Sequence, residues 1–144
     1  MKNSLFILSA LVLTMISCSP KTTSQNMKPN ASLTNTRWKM VKLAGLETFP
    51  RLEKDAFIQF DATNSRYHGN AGCNNFNGSY KLDGNKIGLG AAAMTKMFCA
   101  GDGMKVEDMF VKIMHTVDNY QINGDHLVLK SGENVVAEFD ALYL

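Results

Sequence analysis

Apolar and polar residues alternate along several segments of this chain, a pattern that indicates β-strands with one buried face. The alternation is clearest around three pairs of apolar residues: Trp38 with Met40, Ile58 with Phe60, and Leu127 with Leu129. Two dipeptides that tolerate the positive φ angles of tight turns, Asp83-Gly84 and Asn123-Gly124, lie between further segments of this kind. The sequence therefore predicts consecutive antiparallel strands joined by hairpins.

One segment follows a helical period instead. From Met104 to Val117 apolar residues recur at steps of three and four, which places them on one face of an α-helix. Asp102 is a candidate N-cap, and Glu107 and Asp108 place negative charge toward the N-terminal end, where the helix dipole favours it. We interpret the methionine-rich stripe of this helix as core rather than as a binding groove.

These patterns together predict a mainly β (α+β) fold, in which a curved antiparallel sheet or partly closed β-barrel carries one packed α-helix. The helix is expected to cover the apolar face of the sheet. The residues expected to be buried together are Trp38, Phe60, Phe110, Ile113, Leu127 and Leu129.

The N-terminal residues have the organisation of a bacterial lipoprotein signal. A lysine precedes an apolar run from Leu5 to Ile16, and the small Ser17 precedes Cys18. The run is shorter than the about 20 apolar residues that a membrane-spanning helix needs. We therefore predict a signal peptide over residues 1–17 and a lipid on the sulfur of Cys18. Secretion without a lipid is the alternative.

Residues 18–33 are polar, contain two prolines and have no apolar period, so they are predicted to form a flexible tether. Residues 34–144 have the usual size of one globular domain with its own core. We expect the protein to be held in the bacterial cell envelope by the lipid on Cys18. We expect it at the outer membrane. Because no acidic residue follows Cys18 within the tether, we expect it to face the periplasm rather than to be displayed on the surface.

The charge balance excludes one class of partner. The chain has 15 Lys and Arg against 13 Asp and Glu, for a formal net charge of +2. Proteins that bind nucleic acids usually carry a basic cluster or stripe, and this sequence has none. We therefore expect no nucleic acid partner.

The three cysteines have separate expected roles. If Cys18 carries the lipid, Cys73 and Cys99 remain as one possible pair, and an oxidising envelope permits a disulfide between them. Two buried free thiols are the alternative reading of the same residues.

The densest unusual run is His68–Gly78, which contains three glycines and four asparagines. With this run and the elements around it, the chain resembles the META/HslJ domain family. The matching features continue through Thr-Lys-Met-Phe-Cys at residues 95–99 and into the predicted helix, over about 110 residues of the domain. The residues that carry the resemblance are Trp38, Gly69, Gly72, Asn74, Phe76, Gly78, Thr95, Glu107 and Phe110.

The resemblance implies a small antiparallel β domain with one helix, of a kind often found in secreted proteins or lipoproteins. Some members are linked by name to heat-inducible envelope proteins. It implies no catalytic residue. The matched residues are expected to be structural: Gly72 and Gly78 for backbone shape, Cys73 and Cys99 as a bridge, Trp38 and Phe110 as core. Asn74 is expected to satisfy backbone groups of its loop.

The sequence gives little evidence for a metal site or a catalytic site. A zinc site would draw on His68, Cys73, Cys99, His115 and His126, but no two of these have the short spacing of a zinc knuckle or a helical histidine pair. A nucleophilic site would need an elbow or comparable context, which the sequence does not offer. We therefore expect no metal, no cofactor and no catalytic residue.

Glycan hydrolysis uses a pair of carboxylates, and three carboxylates lie near the predicted start of the helix: those of Asp102, Glu107 and Asp108. Their effect on the helix dipole is already a sufficient reason for them. We interpret the Gly69–Gly78 run as an architectural loop and His68 as a half-exposed surface residue.

Two classes of function follow. The first is a non-enzymatic envelope lipoprotein, a binding or stress-related module whose partner is an envelope protein, a peptide or a polymer. The alternative is an envelope hydrolase or small-ligand enzyme with an unrecognised site. An enzyme is expected to have a concave site with converging polar groups, whereas a binding module is expected to expose an apolar patch or a strand edge.

Overall fold

The computed structural model describes residues 30–143. The predicted signal peptide, Cys18 and most of the predicted tether lie outside these residues. The elements in chain order are β1 Arg37–Leu43, β2 Phe57–Asp61, β3 Arg66–Asn70, β4 Asn75–Asp83, β5 Lys86–Leu89, β6 Ala93–Met94, α1 Gly103–Met114, β7 Asn119–Asn123, β8 His126–Ser131 and β9 Asn134–Leu142.

Eight of the strands form a closed antiparallel barrel in the order β3-β2-β1-β9-β8-β7-β5-β4, and pairing of β4 with β3 closes the ring. The short β6 pairs with the first half of β4, and β5 pairs with the second half. The predicted mainly β fold with one helix is therefore confirmed, and the sheet closes completely. Closure leaves each of the eight strands with a neighbour on both sides.

The barrel has two distinct ends. Because neighbouring strands run in opposite directions, successive connections lie alternately at one end and the other. The turn 71–74, the segment 95–102 and α1 form what we call the helix end. The turn 124–125 and the incoming residues 30–36 form the terminal end, where Ala31 donates its N–H to the carbonyl of Gly124 at 2.8 Å.

Both predicted hairpin turns are confirmed. Gly84 and Gly124 have φ angles of 60° and 62°, the left-handed region that a side chain disfavours. The residues that flank the two turns are paired across them, Asp83 with Lys86 and Asn123 with His126.

The barrel interior is filled by the inward-facing members of the alternating segments. Five of the six predicted core residues are fully buried: Trp38, Phe60, Phe110, Leu127 and Leu129. The prediction for Ile113 is wrong, because this residue is only partly buried. The helix crosses the end of the barrel, and Val106, Phe110 and Met114 point into the barrel. Ile113 lies at the edge of this contact between helix and barrel.

The helix is shorter than predicted, since α1 ends at Met114 and not near Val117. Val117 is nevertheless buried, because a tight turn in which Thr116 donates to the carbonyl of Ile113 keeps it on the inner side. Asp102 stands at the N-cap position, but its side chain makes no capping hydrogen bond. In residues 30–143, no helix combines the length and apolar character that crossing a bilayer requires.

The folded part of the chain begins before the predicted boundary at residue 34. Leu33 is buried, and its carbonyl accepts a hydrogen bond of 2.9 Å from the indole Nε1 of Trp38. Asn30 donates to the carbonyl of Ile122 and accepts from the N–H of Gly124. Residues 30–33 are therefore bound to the terminal end of the barrel, and the predicted tether is shorter by these residues.

Phe110 links the helix to the barrel core, and its ring centroid lies 5.7 Å from that of Phe76 and 6.2 Å from that of Phe139. We expect Phe110→Ala to lower the free energy of unfolding by about 3 to 5 kcal/mol, because the cavity left in a closed barrel cannot collapse. Urea unfolding measures this loss. The control Val135→Ala removes an exposed side chain and should change stability by less than about 0.5 kcal/mol. Equal effects of the two substitutions would contradict the packing described.

Candidate functional site

The helix end is organised around the connection between β3 and β4. The sequence run Gly69–Gly78 was expected to be a loop, but most of it is strand, and only residues 71–74 turn. The expectation is wrong because close packing overrides the low strand preference of glycine and asparagine. A side chain at Gly78 would overlap the ring of Tyr67, which crosses directly above it.

The turn itself rests on the start of the helix. Gly72 has a φ angle of 111°, and a Cβ atom there would lie 3.0 Å from the carbonyl oxygen of Gly103. The two backbones therefore touch without an intervening side chain. This contact brings Cys73 and Asn74 against the first turns of α1.

Asn74 is buried, with 2% of its surface exposed, and its side chain uses all of its hydrogen-bonding capacity on other segments. Its Oδ1 accepts from the Thr95 hydroxyl at 2.8 Å and from the Met97 N–H at 2.7 Å. Its Nδ2 donates to the Met97 carbonyl and to Oε1 of Glu107, both at 3.0 Å. One amide thus holds a loop and a helix to the turn.

Glu107 completes this network from the helix. Its Oε2 accepts a 2.6 Å hydrogen bond from the backbone N–H of Asn74, so both carboxylate oxygens bind the same residue. The expected role of Glu107 as a charge for the helix dipole is wrong: the first turn of α1 contains no acidic residue, and Glu107 is buried. The carboxylate faces the turn because α1 lies across it.

A disulfide between Cys73 and Cys99 joins the same two segments covalently. The Cα atoms are 5.8 Å apart, which is within the range for bridged cysteines. We refer to the bridge, the Asn74 side chain and Glu107 together as the clamp. The clamp fixes the segment Thr95–Cys99, which has no regular secondary structure of its own.

The clamped segment exposes apolar side chains. Phe98 is 88% exposed and Met97 is 47% exposed, although the backbone of Met97 is bonded on both sides by Asn74. A phenylalanine held in water on a fixed backbone is unusual, because burying it elsewhere would be favourable. We call the exposed surface of Met97 and Phe98 the apolar tip.

A cleft of about 560 Å³ lies beside the apolar tip. Its walls include Arg51, Leu52 and Lys54 from the connection between β1 and β2, and Cys99 and Gly103 from the clamped side. The cleft is therefore a mixed surface, apolar at the disulfide and charged in both signs elsewhere, because Glu53 and Asp102 also line it.

The remaining motif residues lie in the barrel rather than in the clamp. Trp38, Phe76 and Phe110 are buried in its interior, and Gly69 is a buried residue of β3. Asn74, Thr95, Glu107 and the two cysteines come together at the helix end, where Gly72 also lies in the turn against Gly103.

The three histidines are far from a shared centre. His68 is exposed on β3, between Gln59 and Asn77 in the strand register, and His115 is exposed after the helix. His126 lies on β8 with Nδ1 2.7 Å from Asp140 and Nε2 3.1 Å from Glu138. Within residues 30–143, no group of three or more His, Cys, Asp or Glu side chains is placed to hold a metal ion.

The histidine on β8 is part of a surface ion-pair network that the sequence did not reveal. The hydrogen bond that the His126 ring donates to Asp140, assisted by the one to Glu138, raises the pKa of His126, although partial burial opposes this. The Lys42 ammonium, 2.7 Å from Glu138, lowers the pKa of that carboxyl. The strands that carry these residues, β1, β9 and β8, are adjacent in the wall. The network therefore crosses the pairing between the first strand, β1, and the last strand, β9.

Sequence reasoning also missed the part played by Asn70 and Met97. Asn70 accepts from the N–H of Gly72 and donates to the carbonyl of Cys73, which shapes the turn. The only signal for it was the high asparagine content of the run. Met97 acts through its backbone, for which its side-chain type carries no signal.

The comparisons with known proteins agree with this architecture. The family model of the META domain matches residues 31–142. The comparison with curated proteins gives no match.

Three solved structures share the fold. A protein from Burkholderia xenovorans has a TM-score of 0.62 and 20% identity, over 78% of this chain and 85% of its own. A second protein solved by NMR has a TM-score of 0.59 and 18% identity, over 74% of this chain and 90% of its own. A DUF4847 family protein from Bacteroides vulgatus has a TM-score of 0.50 and 15% identity, over 75% of this chain and 93% of its own. At these identities the likeness concerns the fold alone.

The clamp predicts a strong coupling between Asn74 and Glu107. Asn74→Ala leaves Oε1 of Glu107 and the Met97 backbone without their buried partners, while Oε2 of Glu107 keeps the backbone N–H at position 74. We expect a loss of about 3 kcal/mol in unfolding free energy. Glu107→Gln keeps the shape of the side chain but removes an acceptor for the Asn74 N–H, and should cost about 1 to 3 kcal/mol. The double variant should cost less than the sum of the two.

Asp108→Asn is the matched control, because Asp108 is the exposed neighbour on the same helix and its change removes the same charge. We expect this control to change stability by less than about 0.5 kcal/mol. Strict additivity of the Asn74 and Glu107 substitutions in urea unfolding would show that the two side chains do not act as one unit.

Proposed function

The chain belongs to the META domain family, and from this membership and the clamped apolar tip we propose that it is a non-enzymatic binding module of the bacterial cell envelope. The partner is an envelope protein or peptide with an apolar pocket that receives Phe98. The single observation that carries the proposal is the exposure of Phe98 on a segment that three separate interactions hold in place.

A rigid exposed aromatic side chain is suited to binding. Interfaces draw most of their energy from a few aromatic or arginine anchors that enter pockets on the partner. Ordering a mobile loop costs free energy on association, and a segment already held by a disulfide and a buried amide avoids much of that cost. The clamp therefore serves affinity as well as stability.

The groups that would perform catalysis are either engaged in structural contacts or lack a partner that would orient them. Cys73 is bridged, both oxygens of Glu107 bind Asn74, and His68 has no carboxylate partner in the described part of the chain. General acid–base or nucleophilic catalysis needs such groups to be free to face a substrate. This arrangement supports a binding role over the alternative of an envelope hydrolase.

We further propose that Cys18 carries the lipid and holds the protein at the outer membrane on the periplasmic side. The chain enters the domain at the terminal end, through Asn30 and Ala31. The apolar tip is at the opposite end of the barrel, so a lipid at Cys18 would leave the tip facing away from the anchoring point. The 12 residues from 18 to 29 can extend about 40 Å, which gives the domain reach in the periplasm.

The anchoring proposal is tested with Cys18→Ala. We expect the wild-type protein to incorporate labelled palmitate and to sediment with membranes, and the variant to do neither, because the thiol is the attachment point. Recovery of the wild-type protein as a soluble periplasmic species with an unmodified Cys18 thiol would refute the lipid anchor.

The binding proposal is tested by placing a photo-crosslinking amino acid at position 98 of the full chain in intact cells. We expect a discrete adduct, because the partner pocket encloses this side chain. The same amino acid at Leu82, an exposed apolar residue at the terminal end, is the matched control and should give no such adduct. Adducts of equal yield at both positions would argue against a specific site at the tip.

Once the partner is identified from the adduct, Phe98→Ala should weaken its binding about 30-fold, which corresponds to the loss of a hot-spot residue of about 2 kcal/mol. The stability of the domain should be nearly unchanged, because the side chain is 88% exposed. Titration calorimetry and urea unfolding on the same preparation separate the two effects.

A further inference from the structure

The outer wall formed by β1 to β4 carries a second surface with a different chemistry. Its outward residues form two rows across four neighbouring strands. One row is Arg37, Gln59, His68 and Asn77, and the other is Lys39, Phe57 and Asn75, with the buried Asn70 between the last two. We call these rows the polar face. Strands lie about 4.8 Å apart, so each row spans about 14 Å.

Several planar groups on the polar face are fixed by contacts with each other. The guanidinium carbon of Arg37 lies 3.7 Å from the centroid of the Phe57 ring. Arg66 donates to Oδ1 of Asn77 at 2.6 Å, and Asn70 donates to Oδ1 of Asn75 at 3.0 Å. The surface is therefore preorganised, with amides and guanidinium groups held beside one aromatic ring.

The polar face carries an excess of positive charge. Arg37, Lys39, Lys54 and Arg66 contribute cations along it. Of the nearby acids, Asp55 pairs with Lys39 at 2.8 Å. Asp61 is turned into the connection after β2, where it accepts from the N–H of Thr63 and from Asn64.

Two side chains in the first row have unused hydrogen-bonding capacity. Within residues 30–143, Gln59 and His68 have no side-chain hydrogen bond to another residue, although both sit in the middle of the row. Beside them a cleft of about 470 Å³ runs along the wall, lined by Arg37, Lys54 and Phe57 among others. The face therefore offers depth as well as donors and acceptors.

We propose that the polar face binds an acidic glycan, a chain of sugars that carry carboxylate groups. The Phe57 ring carries the Arg37 guanidinium on its face and so holds this cation in a fixed orientation. Amides such as Gln59 and Asn77 exchange hydrogen bonds with sugar hydroxyls. Guanidinium groups such as Arg37 form paired hydrogen bonds with carboxylates. Arg37 lines the cleft, and Gln59 and Asn77 stand in the same row as Arg37.

Other partners fit the face less well. A single aromatic residue among amides and charges offers no apolar anchor for a protein and no apolar edge for insertion into a membrane. A single-stranded nucleic acid would call for a run of stacking rings along a basic groove. The glycan site lies on the side wall and the apolar tip at the helix end, so either proposal stands if the other fails.

The test uses opposite charge changes at Gln59 in the full chain, purified in detergent, with hexagalacturonate as the acidic probe. Gln59→Lys should tighten binding and Gln59→Glu should weaken it, each by about fivefold, because one charge about 4 Å from a carboxylate in water contributes close to that factor. The same substitutions at Gln121, exposed on β7, are matched controls for net charge and should leave the affinity unchanged.

Amide chemical shifts provide an independent readout that does not depend on a variant. The probe should move signals from β1 to β4 and leave those of β7 and β8 in place. Maltohexaose, which is neutral, should bind at least tenfold more weakly, since it lacks carboxylates for the cations.

Equal affinity for the neutral and acidic sugars would overturn the proposal, as would equal responses at Gln59 and Gln121. It would also fail if anionic phospholipid vesicles or a single-stranded oligonucleotide bound the same face more tightly than hexagalacturonate.

Discussion

The side chain of Asn74 is the point on which the helix end of the barrel depends. It joins the turn after β3 to the segment Thr95–Cys99 and, through Glu107, to the helix. A buried amide and a buried carboxylate are costly unless every polar atom is paired, and here each provides what the other needs. The position of the helix, the course of the segment and the exposure of Phe98 all follow from this one set of contacts.

The residues that stabilise the fold are different from the residues that form its candidate binding surfaces. The barrel interior holds the aromatic side chains, which pack in a series from Tyr67 through Phe76 and Phe110 to Phe139. The polar and charged residues are left on the outer wall and at the helix end, where they change the surface without disturbing the core. This arrangement agrees with the solved structures that share the fold at 20%, 18% and 15% sequence identity.

The sequence predicted the strands, the two tight turns and most of the core, because alternation and turn chemistry are local properties. It placed Ile113 in the core because a helical stripe shows which residues share a face, not how far that face extends over a sheet. The pairing of Glu107 with Asn74 joins residues 33 positions apart and has no periodic signature. The run Gly69–Gly78 was misread for a related reason: the packing that makes it strand comes from Tyr67 and the neighbouring strands.

The pairing of β1 with β9 has a consequence for how the chain matures. The first strand of the barrel, Arg37–Leu43, is hydrogen-bonded along its length to the last, Asn134–Leu142. The ring therefore has a gap until the final strand has been synthesised, and a shorter nascent chain exposes both open edges. Because these contacts connect residues about a hundred positions apart, the closing step is slow compared with local hairpin formation. The growing chain consequently cannot close the barrel until β9 is available to pair with β1 and β8.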